Sequence, residues 1–272
     1  MLLFAPAILL SLSSVTSAYC GALDPSDEGI ALLTDLFNGN TAPQDFQNAE
    51  NHNQQIEVYT HVIRQSEADS TLESSIPEQI NVLNEVFQAT EYTFTLAGSD
   101  APVYNNLGTI SIGTDAEAEI KQLRKGGAQA LNLYIVPTIG EEDEGIAGYA
   151  TFPWDYALDS QNDGIVVGRD YVPGGTSEGH NTGKVAGHEA GHWLGLLHTF
   201  QGGCLLFGDF ISDTPAEASA ARGCPVGRDS CLLGGEDPIH NHMDYSDDPC
   251  RTEFTPEQIE RMSTVFGMFR SG

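Results

Sequence analysis

Basic residues are scarce in this chain. Lysine and arginine together number 11, against 39 aspartates and glutamates, and the formal net charge is -28. A surface this negative repels nucleic acid and anionic lipid headgroups, so we expect neither as a partner. Its plainest consequence is solubility. A hydrophobic share of 40% over 272 residues is ordinary for a globular protein with a sizeable core.

Long apolar runs are absent beyond the first residues. After residue 18, no apolar stretch reaches the ~18 residues that a membrane-spanning helix needs. Residues 1–18, MLLFAPAILLSLSSVTSA, form an apolar run that ends in small residues, the pattern of a secretory signal peptide. Thr16 and Ala18 stand where signal peptidase prefers small side chains, so we predict secretion and cleavage after Ala18.

Cysteines are few, and their positions are uneven. Four of the five can staple a loop-rich segment of a secreted protein: Cys204, Cys224, Cys231 and Cys250. Four cysteines allow three pairings, and the sequence alone does not choose among them. Cys20 is left over, at the start of the predicted mature chain.

The composition along the chain divides it further. Residues 19–54 are polar with one apolar patch and suit a short pro-segment or an N-terminal arm. Residues 55–198 alternate predicted strands and helices, which indicates an N-terminal α/β subdomain. Residues 199–272 show little periodicity before a final helix and form the predicted C-terminal subdomain.

Apolar periodicity and helix-start signals predict the individual elements. We expect strands over 56–63, 92–98, 130–139 and 164–172, with a short edge strand within 145–154. We expect helices over 75–89, 116–127, 182–197 and 255–269. Three helix starts carry cap signals: Ser75 with Glu78, Thr182 or Asn181, and Thr255 with Gln258.

The segment HEAGHWLGLLH, residues 188–198, gathers three of the eight histidines. On a helix, His188 and His192 are one turn apart on the same face, so both imidazoles can reach one cation at about 2.0–2.1 Å. Gly195 permits the left-handed residue that ends the helix, and the turn brings His198 back toward the metal. A catalytic zinc has three protein ligands and one open position. The segment therefore predicts one catalytic Zn²⁺ ion held by these histidines.

Glu189 lies within the same segment but on another side of the helix. Its offset of ~100° from His188 makes it a poor ligand and lets it reach a water on the metal, which is the general-base position. Ordinary core or surface histidines are the alternative interpretation. Chance places these five residue types at these five positions in fewer than about one chain in ten thousand, so we interpret the segment as catalytic.

HExxHxxGxxH is the signature of the metzincin metalloproteases. Metzincins also have a methionine turn beneath the metal, for which Met243 in NHMDYS is the match. Tyr245, two residues later, is a candidate to hydrogen-bond the oxyanion of a tetrahedral intermediate. With SDTPAE, GCPVGRDSC and PIHNHMDYSDDPC, these motifs resemble the pappalysin family, especially its secreted fungal extracellular metalloproteases. The resemblance covers nearly the whole chain from residue 56 onward.

This resemblance implies an α/β zincin of the metzincin type. Its sheet would be mixed, mostly parallel and five-stranded, with an active-site helix and an irregular C-terminal subdomain that ends in a helix. An antiparallel edge strand at about 145–152 would pair with an extended peptide substrate. Pappalysins link these cysteines first to third and second to fourth, which implies Cys204–Cys231 and Cys224–Cys250. Protein or peptide substrates are the implied partners, and we expect a monomer.

The resemblance also implies two further features. The family binds calcium in its irregular half, where the oxygen-bearing candidates are Asp209, Asp213, Thr214 and Glu217. Solvated loop residues are the equal alternative, because calcium needs about six to eight oxygens. Cys20 resembles the pro-segment cysteine that caps the zinc as a thiolate in some metzincins, although Tyr19 stands where an arginine often precedes it. A bystander thiol is the alternative.

The substrate preference stays open at this point. Pappalysins that favour basic residues have an acid at the base of the primed-side pocket. Here Pro249 comes immediately before the last cysteine, and Asp247 and Asp248 come slightly earlier.

Two other functions fit parts of the sequence. A secreted zinc-containing binding protein without proteolytic activity would keep the histidines, but a purely structural site has no need of Glu189 as a base. A serine hydrolase would use Ser177 in GTSEG, a motif that requires a strand directly before it and a helix directly after it. Pro173 and the sequence HNTG predict a loop instead. We therefore predict a secreted zinc endopeptidase.

Overall fold

Five strands form one sheet in the computed structural model, which describes residues 19–271 except 22–23, 40–52, 71, 73, 106, 108, 141–144 and 206–207. The strands are β1 (Gln54–Val62), β2 (Tyr92–Asp100), β3 (Leu131–Val136), β4 (Gly148–Ala150) and β5 (Ile165–Gly168). Their order is β2-β1-β3-β5-β4, and only β4, at the edge, runs antiparallel to its neighbour. The expected mixed, mostly parallel five-stranded sheet is therefore confirmed.

Helices cover both faces of this sheet. They are α1 (Asp27–Phe37), α2 (Ile76–Val86), α3 (Asp115–Lys121), α4 (Lys184–Trp193) and α5 (Pro256–Phe269). Residues of α2, α4 and α5 share one core with β1 and β3, while Ile120 of α3 belongs to the core on the other face. Every residue of β3 is buried, as its apolar sequence LNLYIV predicts for a strand covered on both faces.

Two of the three predicted helix caps differ from the structure. Thr255 and Gln258 form the expected capping box at α5. Ser75 makes no side-chain cap, because its backbone is already helical and the Ile76 N–H donates to the Leu72 carbonyl. The prediction of a capping box at Ser75 is therefore wrong.

The start of α4 is built differently from the prediction. Gly183, with φ +92°, is the N-cap residue, and neither Thr182 nor Asn181 caps the helix. The Thr182 N–H and hydroxyl instead donate to Asp248 Oδ2 at 3.0 and 2.7 Å. This pairing ties the entrance of α4 to the segment just before the last cysteine. The third helix is also shorter than predicted, since α3 ends at Lys121, well before Gly126.

The chain after α4 is irregular until α5, as predicted. Among the described residues between 199 and 255 there is no helix or strand. Disulfides Cys204–Cys231 and Cys224–Cys250 staple this segment, and each has a Cα–Cα distance of 5.5 Å. The family resemblance implies this pairing. No helix in the described part of the chain is long and apolar enough to cross a membrane, and the predicted signal peptide lies outside the described residues.

A buried ion cluster joins the ends of α4 and α5 to the sheet. Asp163, 1% exposed, accepts hydrogen bonds from Trp193 Nε1 at 3.1 Å and from Arg270 Nη2 at 2.9 Å. Arg124 Nη2 also donates to it at 3.3 Å. The Arg270 guanidinium lies 3.6 Å from the centroid of the Trp193 ring. These contacts fix the last turn of the helix that carries the histidine motif.

The N-terminal arm, described over 19–39 apart from 22–23, is packed against the body of the protein. Leu33 of α1 is fully buried in a cluster with Phe152, Trp154 and Leu197. Cys20 lies opposite Gly148 in a parallel bridge, and the Gly21 N–H donates to the Gly148 carbonyl at 2.8 Å. The arm therefore occupies the free edge of β4.

Candidate active site

A helix and the turn after it position the three motif histidines. His188 and His192 stand one turn apart on α4, and α4 ends at Trp193. Gly195 follows with φ +97°, which reverses the chain and brings His198 back. A Cβ on Gly195 would lie 2.7 Å from Val265 Cγ1 of α5, so both the backbone angle and the space require glycine.

The three imidazoles converge on one point. His192 Nε2 and His198 Nε2 are 3.1 Å apart, close to the ~3.3 Å between two ligands that bind one tetrahedral zinc at ~2.05 Å. His188 Nε2 is buried and has no hydrogen-bond partner among the described residues. His188 Nδ1 lies 2.8 Å from the His242 carbonyl and His192 Nδ1 lies 2.8 Å from the Leu196 carbonyl. These carbonyls orient the rings so that their Nε2 lone pairs face the shared point.

Burial keeps these histidines neutral. It lowers the pKa of His192 to about 4 and those of His188 and His198 well below their ordinary value. Zinc binds neutral imidazole, so the site presents its ligands in the form that the metal requires. Converging nitrogens, a buried ring nitrogen whose lone pair has no partner among the described residues, and neutral rings together fit a zinc ion.

Glu189 lies beside the three imidazoles. The carboxylate is fully buried, and burial raises its pKa to about 8 although Cys20 Sγ donates to Oε2 at 3.3 Å. Its side chain packs under β4, where a Cβ on Gly148 would lie 2.9 Å from Glu189 Cγ. The glycine therefore makes room for the carboxylate between α4 and the edge strand.

The loop that carries Met243 lies beneath the histidines. Met243 is fully buried, and its N–H donates to Asn241 Oδ1 at 2.9 Å. The next residue but one, Tyr245, places its hydroxyl 3.1 Å from His198 Nε2 and donates to the Cys20 carbonyl at 3.2 Å. Both residues therefore lie at the site to which the sequence assigned them.

Cys20 completes the group. Its Sγ lies 3.5 Å from His192 Nε2, and the ligand atoms of Cys20, His188, His192 and His198 lie within 4.8 Å of one another. This set of one sulfur and three nitrogens has the composition of a four-coordinate zinc site. The arm thus places a thiol directly beside the three imidazoles.

The four calcium candidates are not brought together in the same way. Among the described residues, their carboxylates form no group of three with ligand atoms within 4.8 Å. Asp213 Oδ2 accepts from the Glu257 N–H at 3.0 Å, and Glu217 forms an ion pair with Arg228. Asp209 is buried, which raises its pKa to about 8, and Thr214 is buried nearby in the chain. Calcium at these residues stays a prediction.

Sequence reasoning missed the residues around Tyr19. The Tyr19 hydroxyl accepts a hydrogen bond of 2.6 Å from Arg251 Nη2, and Arg251 pairs with Asp248. Tyr19 and Arg251 are 232 residues apart in the chain, so no spacing rule could connect them. Ser177, the nucleophile of the rival hydrolase, lies in the loop between Tyr171 and α4, without the strand and helix that such a nucleophile requires.

Comparison with known proteins identifies the family. Residues 116–267 match the peptidase M43 family model, described as pregnancy-associated plasma protein-A. The chain belongs to this family. These pappalysins are metallopeptidases, so the chain is an enzyme that acts on protein or peptide with a catalytic metal.

Two relatives and one solved structure agree with this assignment, and a second solved structure shares the fold. An extracellular metalloprotease of Pyricularia oryzae is 42% identical over 264 residues, 94% of this chain and 91% of the relative. One of Arthroderma benhamiae is 38% identical over 273 residues, 98% of this chain and 90% of the relative. Mature Tannerella forsythia mirolysin with a cleaved peptide has a TM-score of 0.67 and 27% identity, covering 78% of this chain and 91% of its own. A promirolysin variant has a TM-score of 0.72 at 24% identity, covering 88% and 87%.

Proposed function

We propose that this pappalysin is a secreted zinc endopeptidase whose metal is held by His188, His192 and His198. The observation that carries the proposal is the convergence of three buried, neutral imidazoles, two of them with Nε2 atoms 3.1 Å apart. The relatives named extracellular metalloproteases support secretion. A zinc ion bound at these nitrogens supplies a Lewis acid that polarises the scissile carbonyl and acidifies water.

Glu189 is the proposed general base. It lies beside the ligands without being one, and its Oε1 has no hydrogen-bond partner among the described residues. In its ionised form, which a cation on the histidines would favour, the carboxylate takes a proton from the attacking water and passes it to the leaving amine. Tyr245, whose hydroxyl lies 3.1 Å from His198 Nε2, donates a hydrogen bond to the oxyanion that develops on the scissile carbonyl. Met243 supports the ligands from below.

The substrate binds as an extended strand along β4. The position of the arm is the evidence for this mode of binding, because Tyr19–Gly21 already pair with this edge through hydrogen bonds of 2.8 Å to Ala147 and Gly148. Backbone pairing gives affinity without reading side chains, so it suits an endopeptidase that cuts within a polypeptide. The solved mirolysin complex with a cleaved peptide is consistent with such a cleft.

Residues 19–54 are the proposed pro-segment. Tyr19–Gly21 of this segment cover the edge of β4, and Cys20 Sγ stands 3.5 Å from His192 Nε2, where a thiolate would cap the zinc. Activity then requires that Cys20 leave the site or that the segment be cut away.

Casein digestion by the Glu189→Ala variant tests the proposed function. We expect the variant to bind zinc at the wild-type ratio, measured by metal analysis, and to lose roughly 10²- to 10⁴-fold in the cleavage rate. Glu178→Ala, at an exposed glutamate in the loop before α4, is the matched control and should keep full activity. Casein cleavage at the wild-type rate by a folded, zinc-loaded Glu189→Ala variant would reject the mechanism.

A further inference from the structure

Tyr19 fills a pocket next to the zinc-binding group. The side chain comes from the arm, yet the residue is only 3% exposed. We call its surroundings the Tyr19 pocket, which is lined by His180, His188, Tyr245 and Arg251, with Asp248 paired to Arg251 behind it. The ring centroid of Tyr19 lies 4.8 Å from that of His180 and 5.0 Å from that of Tyr245. The walls are therefore aromatic and fit a planar ring.

The base of the pocket is an arginine that is fully buried. Arg251 Nη2 donates to the Tyr19 hydroxyl at 2.6 Å, and the guanidinium carbon lies 5.2 Å from the ring centroid. The same Nη2 pairs with Asp248 Oδ1 at 2.5 Å. Asp248 is also fully buried, and its other oxygen is occupied by Thr182. The charges at the base are thus already balanced, and a hydrogen-bond donor remains for the occupant.

The backbone of Tyr19 lies where a substrate would lie. The Ala147 N–H donates to the Tyr19 carbonyl at 2.8 Å, at the N-terminal end of β4. The next residue, Cys20, has its sulfur 3.5 Å from His192 Nε2, and its carbonyl accepts a hydrogen bond from the Tyr245 hydroxyl. A side chain one residue away from the reacting position therefore enters the Tyr19 pocket.

We propose that this pocket receives the substrate side chain next to the scissile bond, and that Arg251 makes it select tyrosine. The proposal rests on the endopeptidase function proposed above. A phenol fills the aromatic walls and gives Arg251 an oxygen acceptor, whereas phenylalanine leaves that buried donor without one. A lysine or arginine would meet the buried guanidinium as a like charge, with Asp248 already paired. A glutamate would add a negative charge to a pair whose charges are balanced.

Quenched fluorescent peptides test the selectivity with active enzyme matured from the full chain. The series places tyrosine, phenylalanine, glutamate or arginine on either side of one cleavable bond in a common sequence. On one of the two sides, we expect kcat/KM for tyrosine to exceed that for phenylalanine about tenfold, as for loss of a hydrogen bond to a charged group. Arginine and glutamate peptides should be cut more slowly still. Equal rates for all four, or a preference for arginine, would overturn the proposal.

Variants at the base of the pocket connect the preference to Arg251. Arg251→Met should cut the tyrosine and phenylalanine peptides equally well. That change leaves the buried Asp248 without its ion-pair partner. The double variant Arg251→Met/Asp248→Asn removes both buried charges and should also cut the tyrosine and phenylalanine peptides equally well. A tyrosine preference that survives in either folded variant contradicts the role of Arg251. If neither folds, the wild-type peptide series still decides the selectivity, and failure of every peptide and of casein would instead reject the endopeptidase.

Discussion

Met243 and Gly191 fit against each other so closely that a Cβ on Gly191 would overlap the Met243 sulfur. The methionine loop therefore packs against α4 at the one turn between His188 and His192. His188 Nδ1 also hydrogen-bonds to the carbonyl of His242 in the same loop. The loop therefore lies against the helix at the proposed metal site and orients one of its ligands.

Replacing Gly191 by alanine should disturb the packing of Met243 against α4. The added methyl group forces Met243 or the helix to move, so we expect a loss of about 1–3 kcal/mol in the free energy of unfolding and weaker zinc retention. Gly127→Ala is the matched control, since nothing lies within 4 Å of its added Cβ. Urea unfolding and metal content measure both effects. Equal unfolding midpoints for the two variants would contradict the tight contact.

Removal of zinc should abolish activity and lower stability together. Phenanthroline is expected to stop casein cleavage, because it removes the proposed Lewis acid from the three histidines. Added zinc should restore cleavage. A ligand that binds only the folded state at ~1,000 times its Kd stabilises it by about 4 kcal/mol, so the melting temperature should fall by several degrees. A fluorophosphonate should have no effect. Inhibition by the fluorophosphonate but not by phenanthroline would favour Ser177 instead.

Replacing Cys20 by serine should weaken the inhibition of the full-length chain by its own N-terminal arm. A hydroxyl is a poorer zinc ligand than a thiolate, so the full-length variant should cut casein sooner than the wild-type chain. A mercurial thiol reagent should activate the wild type and leave the variant unchanged, since the other four cysteines are in disulfides. If the variant stays latent for as long as the wild type, the arm blocks the cleft without help from the sulfur.

Asp163 should make stability depend on pH. Burial raises the pKa of this carboxyl, but Arg270, Trp193 and Arg124 outweigh burial and hold it below its ordinary value of 3.8. A lowered folded-state pKa means that the stabilisation is complete above pH ~4 and is lost as the pH falls through the folded-state pKa.

Asp163→Asn tests this dependence. It leaves Arg270 buried without its partner and should cost about 3–5 kcal/mol at pH 7, as measured by urea unfolding. The gap to the wild type should narrow below pH ~4. Asp229→Asn, at an exposed position, is the control. A gap that is constant from pH 7 to pH 3 would show that the charge of Asp163 does not stabilise the fold.

The sequence predicted the parts of this molecule that local rules determine. The histidine motif could be read because helix periodicity and one glycine turn fix three side chains within eleven residues. The buried strand β3 could be read from its apolar run. The lack of a cap at Ser75 could not be predicted. Ser75 and Glu78 have the spacing of a capping box, but a turn from Leu72 already makes the backbone at Ser75 helical, and no local pattern reveals that turn. The same holds for Arg270, whose contact with Trp193 spans 77 residues.

The pairing of the arm with β4 has a consequence for the timing of activity. While the arm is covalently attached, it competes with substrate for the edge of β4 within one molecule, and so independently of enzyme concentration. A single cut between Gly21 and β1 turns it into a separate peptide that dilutes away. Release from the cell into a large volume would then itself switch the enzyme on.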